Sequence, residues 1–271
     1  MNQLKIYVAF EGKTTDPALL SKVLTTLSQL ELLAPGYWGA HERERKSWDV
    51  EAIIAFVARM KEEYRFYTSG IELWRTRAPR YRGRVTASDR TVNSIGMQFE
   101  PGPAEKFRQA IYEATDALVG SLPIAFALIH PIWLDGPDVE GASPRDIAAY
   151  MFGVSANAVD VHKMGLLPVS ARTWYGPALA QRIGRERLLG TEGSCEQPSG
   201  AIRLDLAPEP WAAGFAELSS KKELAMKHLR PSGMFVDAEF NDSGGFTKRT
   251  PAVSWTPPDW VMQANPHLAN S

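Results

Sequence analysis

Ile124-Ala-Phe-Ala-Leu-Ile-His-Pro-Ile132 decides the fold of this chain. A strand with one wet face alternates apolar and polar residues, whereas a short continuous apolar run is buried on both faces. The run therefore predicts a strand in the interior of a sheet. Its longest uninterrupted apolar stretch, Leu122–Ile129, is eight residues. A helix needs about 20 residues to cross a bilayer, so no membrane span is expected.

Helical spacing appears on the N-terminal side. Phe107, Ala110, Ile111, Ala114 and Leu118 form one stripe, preceded by the break Pro101-Gly102-Pro103 and closed by Gly120, which predicts a helix over Pro103–Val119. Leu20, Val23, Leu24 and Leu27 predict another over Asp16–Leu33, with Thr15 or Asp16 as cap and Pro17 in the first turn. Val50, Ile53, Ile54, Val57, Met60 and Tyr64 predict a third over Asp49–Tyr64. Ile6–Phe10 reads as a first strand, and the Gly-punctuated stretch 70–99 as two or three strands, with Ile71–Arg75, Gly83–Ala87 and Ser94–Phe99 the candidates.

On the C-terminal side comes a polar, turn-rich loop over 135–143. Ser143-Pro144 then opens a helix through Ile147, Tyr150 and Met151, and 154–174 shows no single period. A short helix runs through Leu179 and Ile183 to Gly184, and Gly190–Gly200 is loop. Ala201–Leu206 and Met234–Phe240 alternate as strands, with one helix or a broken pair through Trp211, Phe215, Leu218, Leu224 and Leu229 between them. The proline-containing tail from Thr250 reads as extended. The expected class is α+β, mixed sheet flanked by helices. One domain over 1–271 is expected, and the 135–143 loop is the natural join of two α/β lobes, 1–134 and 144–271.

Thirty basic and 31 acidic residues give a net charge of −1, which does not advertise a nucleic-acid or anionic-membrane partner. One cysteine, Cys195, excludes an internal disulfide and a multi-cysteine metal site. The N-terminus carries a single lysine and a short β-like run rather than a signal peptide, so a cytoplasmic location is expected.

Chemistry is sparse. The five histidines form no H-x-x-x-H pair. His41-Glu42-Arg43-Glu44 and Asp160-Val161-His162 bring a carboxylate beside a histidine, but two ligands are not a metal site. There is no G-x-S-x-G elbow, Cys195 has no local base, and Ser243-Gly244-Gly245 is a turn without a P-loop lysine. No catalytic residue, cofactor or metal is expected. The rival reading is an enzyme with a dispersed site built on His130 or His162 and nearby acids.

Two charge clusters remain. Arg75, Arg77, Arg80, Arg82, Arg84 and Arg90 are interrupted by Asp89 and interleaved with Trp74 and Tyr81. Such a ribbon can hold phosphate and stack bases, pair with acids on a protein, or simply solvate a strand pair. The neutral net charge favours solvation over nucleic-acid binding. The opposite cluster is Asp135, Asp138, Glu140 and Asp146, softened by Arg145.

Eight tryptophans, most of them in short polar contexts, supply candidate anchors. The N-terminal strand–helix unit, Tyr37-Trp38-Gly39-Ala40 and Arg172-Thr-Trp174-Tyr175-Gly176-Pro-Ala-Leu179 together resemble bacterial immunity proteins of polymorphic-toxin and type VI secretion systems, most closely the immunity-protein-52 family. The resemblance covers most of the chain on loose aromatic–glycine landmarks. It implies a cytoplasmic, non-enzymatic α+β protein that binds a cognate toxin, typically a nuclease of the restriction-endonuclease-like class. No catalytic residues carry over. On this reading Asp135, Asp138 and Glu140 would replace phosphates in the toxin's basic cleft, with Trp38 and Trp174 as aromatic anchors. A homo-oligomer stays open.

Overall fold

The apolar run forms β7 (Ile124–Trp133), with nine of its ten residues buried. This is a computed structural model, and it describes residues 2–63, 68–89, 92–101, 106–134, 148, 151–152, 154, 166, 169–235, 238–240 and 246–248. β7 lies between β1 (Asn2–Glu11) and β8 (Arg172–Tyr175), antiparallel to both, with Ile129 opposite Ile6 on one side and Arg172 on the other. The expectation of an interior strand holds.

The remaining strands are β2 (Tyr37–Gly39), β3 (Lys46–Ser47), β4 (Thr68–Arg75), β5 (Tyr81–Ser88), β6 (Val92–Phe99), β9 (Ser194–Glu196) and β10 (Ile202–Asp205). With β1, β7 and β8 they build one ten-stranded sheet in the order β3-β2-β4-β5-β6-β1-β7-β8-β10-β9. Strands from either side of the 135–143 loop thus share one sheet. Its edges, β3 and β9, are two and three residues long, which leaves little edge for another chain to pair with. A separate pair joins β11 (Ala238–Phe240) to β12 (Phe246–Lys248).

The sequence missed β2, β3, β8, β9 and β12, β9 lying within the stretch Gly190–Gly200 expected as loop. Segments of two to four residues are too short to display alternation, and only their partners in the sheet make them strands.

One face of the sheet carries α1 (Pro17–Gln29), α2 (Val50–Glu63) and α3 (Arg108–Ser121). Asp16 caps α1 by accepting from Ala18 N at 2.9 Å, and Asp49 accepts from Ala52 N at 3.0 Å ahead of α2. α1 ends at Gln29 rather than Leu33, because tight turns over 30–34 take up the next amides. α3 is continuous from Arg108 and Lys106 is also helical, while 103–105, the expected start of the helix, lie outside the described residues. Leu4, Ile6, Val8 and Phe10 of β1 turn toward these helices and pack with Leu20, Leu24, Ile53 and Ile111 in a first core.

The opposite face carries a second core, centred on β7, β8 and β10 with Ala9 of β1 and Val92 of β6 at its border. There Leu128, Tyr175, Ile202 and Leu204 meet α4 (Pro177–Ile183), α5 (Arg185–Leu189) and α6 (Phe215–Leu229). Each buried Leu or Ile contributes roughly 1.5–3 kcal/mol. Ala148, Met151 and Phe152 are helical, in line with the helix expected after Ser143, while the acidic loop and the tail from Thr250 lie outside the described residues. Among the described residues no helix is long and apolar enough to cross a membrane.

Candidate functional site

Two helix-bearing cores leave the second face of β4, β5, β6 and the start of β1 without a helix over it among the described residues. Alternation decides what points there. In β5, Tyr81, Val85 and Ala87 enter the first core, so Arg82 and Arg84 face outward. In β4, Ile71 and Leu73 go inward and Glu72 and Trp74 outward; in β6, Ile95, Met97 and Phe99 go inward and Gly96 and Gln98 outward.

Register aligns these positions in two rows across the strands: Trp74–Arg82–Gln98–Lys5 and Glu72–Arg84–Gly96–Tyr7. Except for Tyr7, which packs against the second core, these positions together with the loop residues Glu42, Arg45, Thr76, Arg80 and Glu100 wall a groove of about 920 Å³. Apart from Arg75, whose guanidinium is engaged elsewhere, its lining holds five Arg or Lys against three Glu.

Glu72 is the electrostatic centre of the groove. Its side chain is only 9% exposed, and it is shared by Arg82 (Nη2 to Oε2, 3.4 Å) and Arg84 (Nη1 to Oε1, 3.7 Å), which are 48% and 60% exposed. A buried carboxylate needs cationic partners, and the two guanidiniums supply them without being fully used. Arg82 also bonds Glu42, whose pairing pushes the Arg82 pKa up. Arg84 lies flat across β4 because position 70 has no side chain: a Cβ on Gly70 would sit 1.6 Å from Arg84 Nε. Above Gly96 the space is open, with nothing within 4 Å of a would-be Cβ. Arg45 covers the Trp74 ring at 5.3 Å.

The structure divides the arginine ribbon. Arg75 belongs to the opposite face: Nε donates to the Pro79 carbonyl at 3.1 Å, Nη1 to Ala34 at 2.9 Å and Nη2 to Ala78 at 3.2 Å. Burial holds its pKa below the usual value. It clamps a turn and is unavailable to a ligand. Arg77 and Arg80 are exposed beside it, and Arg90 lies outside the described residues.

Trp38 and Trp174 need correction as surface anchors. Trp38 packs on Phe56 at a centroid distance of 5.6 Å inside the first core, and Trp174 is 0% exposed. The alternation of β2 and β8 turns both rings toward the helices, so neither offers surface to a partner. Asp135, Asp138, Glu140, Asp160 and His162 lie outside the described residues. His41 is exposed, its Nδ1 accepting from Arg43 N at 3.3 Å.

His130 is fully buried. Its Nδ1 accepts from Ala171 N at 2.9 Å and its ring lies 4.3 Å from that of Phe152, while Nε2 has no hydrogen-bond partner among the described residues. Burial lowers its pKa to about 3. That is a neutral core imidazole rather than half of an acid–base pair. Among the described residues no three His, Cys, Asp or Glu side chains gather as a metal site.

One cluster escaped sequence reading. Arg172 on β8 is bidentate to Asp205 (Nε 2.5 Å, Nη2 3.0 Å) and bonds Asp116 of α3 at 2.6 Å. Arg203 shares both carboxylates at 3.3–3.4 Å. The Arg172 guanidinium also lies over Tyr112 at 5.3 Å and over Trp174 and Trp211 at 5.9 Å. Burial raises the Asp116 pKa, although Arg172 and Arg203 pull it the other way. The partners are 33 and 56 residues apart, so no local pattern signals them. The cluster rigidifies the join of α3 to the sheet, both carboxylates being held by the two arginines, while the buried Arg203 Nε meets Asp205 only at ion-pair distance.

No family model matches the chain, and no curated protein matches it. Among solved structures it is similar to the Pseudomonas aeruginosa T6SS protein PA0821. The TM-score is 0.57 at 11% sequence identity, covering 97% of this chain and 81% of that one. At that identity the likeness is one of fold.

Proposed function

We propose that this chain is a cytoplasmic immunity protein of a type VI secretion system, which neutralises a cognate secreted toxin by stoichiometric binding. The fold shared with a T6SS protein over 97% of the chain carries this reading. The groove supports it: its exposed charges, held in place by a hidden carboxylate, are the chemistry of recognition. The toxin is of nuclease type, and the Asp135–Asp138–Glu140 loop enters its phosphate-binding cleft, where complementary charge speeds association.

Co-expression with the toxin encoded beside this protein's gene is the test. Restored growth and co-elution as a stable complex are expected. A toxin that kills equally with and without this protein present would end the immunity reading.

A further inference from the structure

Resting on the reading that the chain binds a protein toxin, we propose that the groove over β4, β5 and β6 takes up an acidic segment of that partner. One of its carboxylates replaces Glu42 on Arg82 and reaches Arg84, while a neighbouring side chain fills the space above Gly96. The groove is thus a second contact region, of opposite charge to the 135–143 loop.

Charge balance is the first ground. Glu72 is a single buried carboxylate set against two guanidiniums, each with five N–H donors, and with Arg75 engaged on the other face the lining still holds five cations against three anions. Glu42 is the only other acid on Arg82 among the described residues. Its side chain is 69% exposed, so its pairing is a solvated one that contributes little and is replaced at small cost. A partner carboxylate arriving with its own desolvated surface makes the stronger bond.

Shape is the second. The sheet keeps a bare position at Gly96, directly across from Arg84, so a side chain can rest on the strand next to the charged pair. Nucleic acid fits less well. Trp74, covered by Arg45 and 6% exposed, offers no face on which a base can stack.

The test uses the full chain, the neighbour-encoded toxin and a fluorescent peptide that alternates Asp or Glu with Phe or Tyr. Arg84→Gln removes one guanidinium from an exposed position, and Gly96→Tyr fills the bare one without meeting any atom within 4 Å of its Cβ. Both should melt cooperatively, Gly96→Tyr at or above the wild-type midpoint and Arg84→Gln a little below it, since Glu72 keeps Arg82. Each variant should weaken the toxin complex by about tenfold or more, and wild type should bind the peptide with a Kd of about 10⁻⁴ M or tighter, lost in both variants. Wild-type and variant complexes of equal affinity would overturn the proposal. So would a wild type that binds a short DNA duplex more tightly than about 10⁻⁶ M at 0.15 M salt. If wild type forms no toxin complex, the immunity reading fails, and the peptide result alone decides whether the groove takes acidic segments.

Discussion

Acid should loosen this protein through His130, and the size of the effect follows from its surroundings. Because Nδ1 accepts the Ala171 N–H, the neutral ring carries its proton on Nε2. Charging the ring would convert that acceptor to a donor facing a donor, and would place a cation between the rings of Phe152 and Trp133. Burial accordingly lowers the pKa from 6.5 to about 3. The unfolded chain then binds more protons than the folded one between these values. This contribution to stability is complete above pH 6.5 and falls as the pH drops toward 3. At about 1.4 kcal/mol per pH unit, the loss between pH 7.5 and 4.5 is roughly 2.7 kcal/mol, a large share of a typical 5–15 kcal/mol.

The measurement is urea denaturation at several pH values for wild type and His130→Asn. The asparagine oxygen can accept the Ala171 N–H but does not titrate. The variant should be less stable at pH 7.5, since ring packing is lost, yet its stability should fall about 2.7 kcal/mol less on the way to pH 4.5. Carboxylates common to both chains cancel in the difference. Parallel pH curves would refute the reasoning: His130 would then be solvated or differently paired.

Other expectations follow from the same geometry. Arg172→Ala leaves the Asp116 and Asp205 carboxylates to Arg203 alone and should cost about 3 kcal/mol in chemical denaturation; a cost below about 1 kcal/mol would mean the cluster contributes little. Gly176→Ala should destabilise by about 1–3 kcal/mol or more, because its Cβ would lie 2.0 Å from the Ile124 carbonyl oxygen. Gly96→Ala, with open space above it, should instead raise stability by a few tenths to about 1 kcal/mol, and equal effects at the two glycines would contradict the packing described. Asp138→Ala combined with Glu140→Ala should weaken toxin binding about 30-fold with the melting temperature unchanged; unaltered binding would remove that loop from the interface.

The α+β class, the interior position of 124–132 and the apolar stripes of the first three helices were legible in the residues themselves. Burial on one face or two leaves its period in consecutive positions, and Asp16 and Asp49 announce their helices by chemistry within a turn. The same alternation put Arg82 and Arg84 on one side of β5 and Tyr81 and Val85 on the other. What the residues could not disclose depended on which strand lay next to which. Arg75 left the ribbon to clamp a turn, Trp38 and Trp174 went inward, and Arg172 found Asp116 and Asp205 from far along the chain. Among the described residues the groove lies on the part of that face which α4, α5 and α6 do not reach. Periodicity is a local property, set by each residue's own exposure. Pairing between distant segments is settled by the packing of the whole sheet, so the site became visible only in three dimensions.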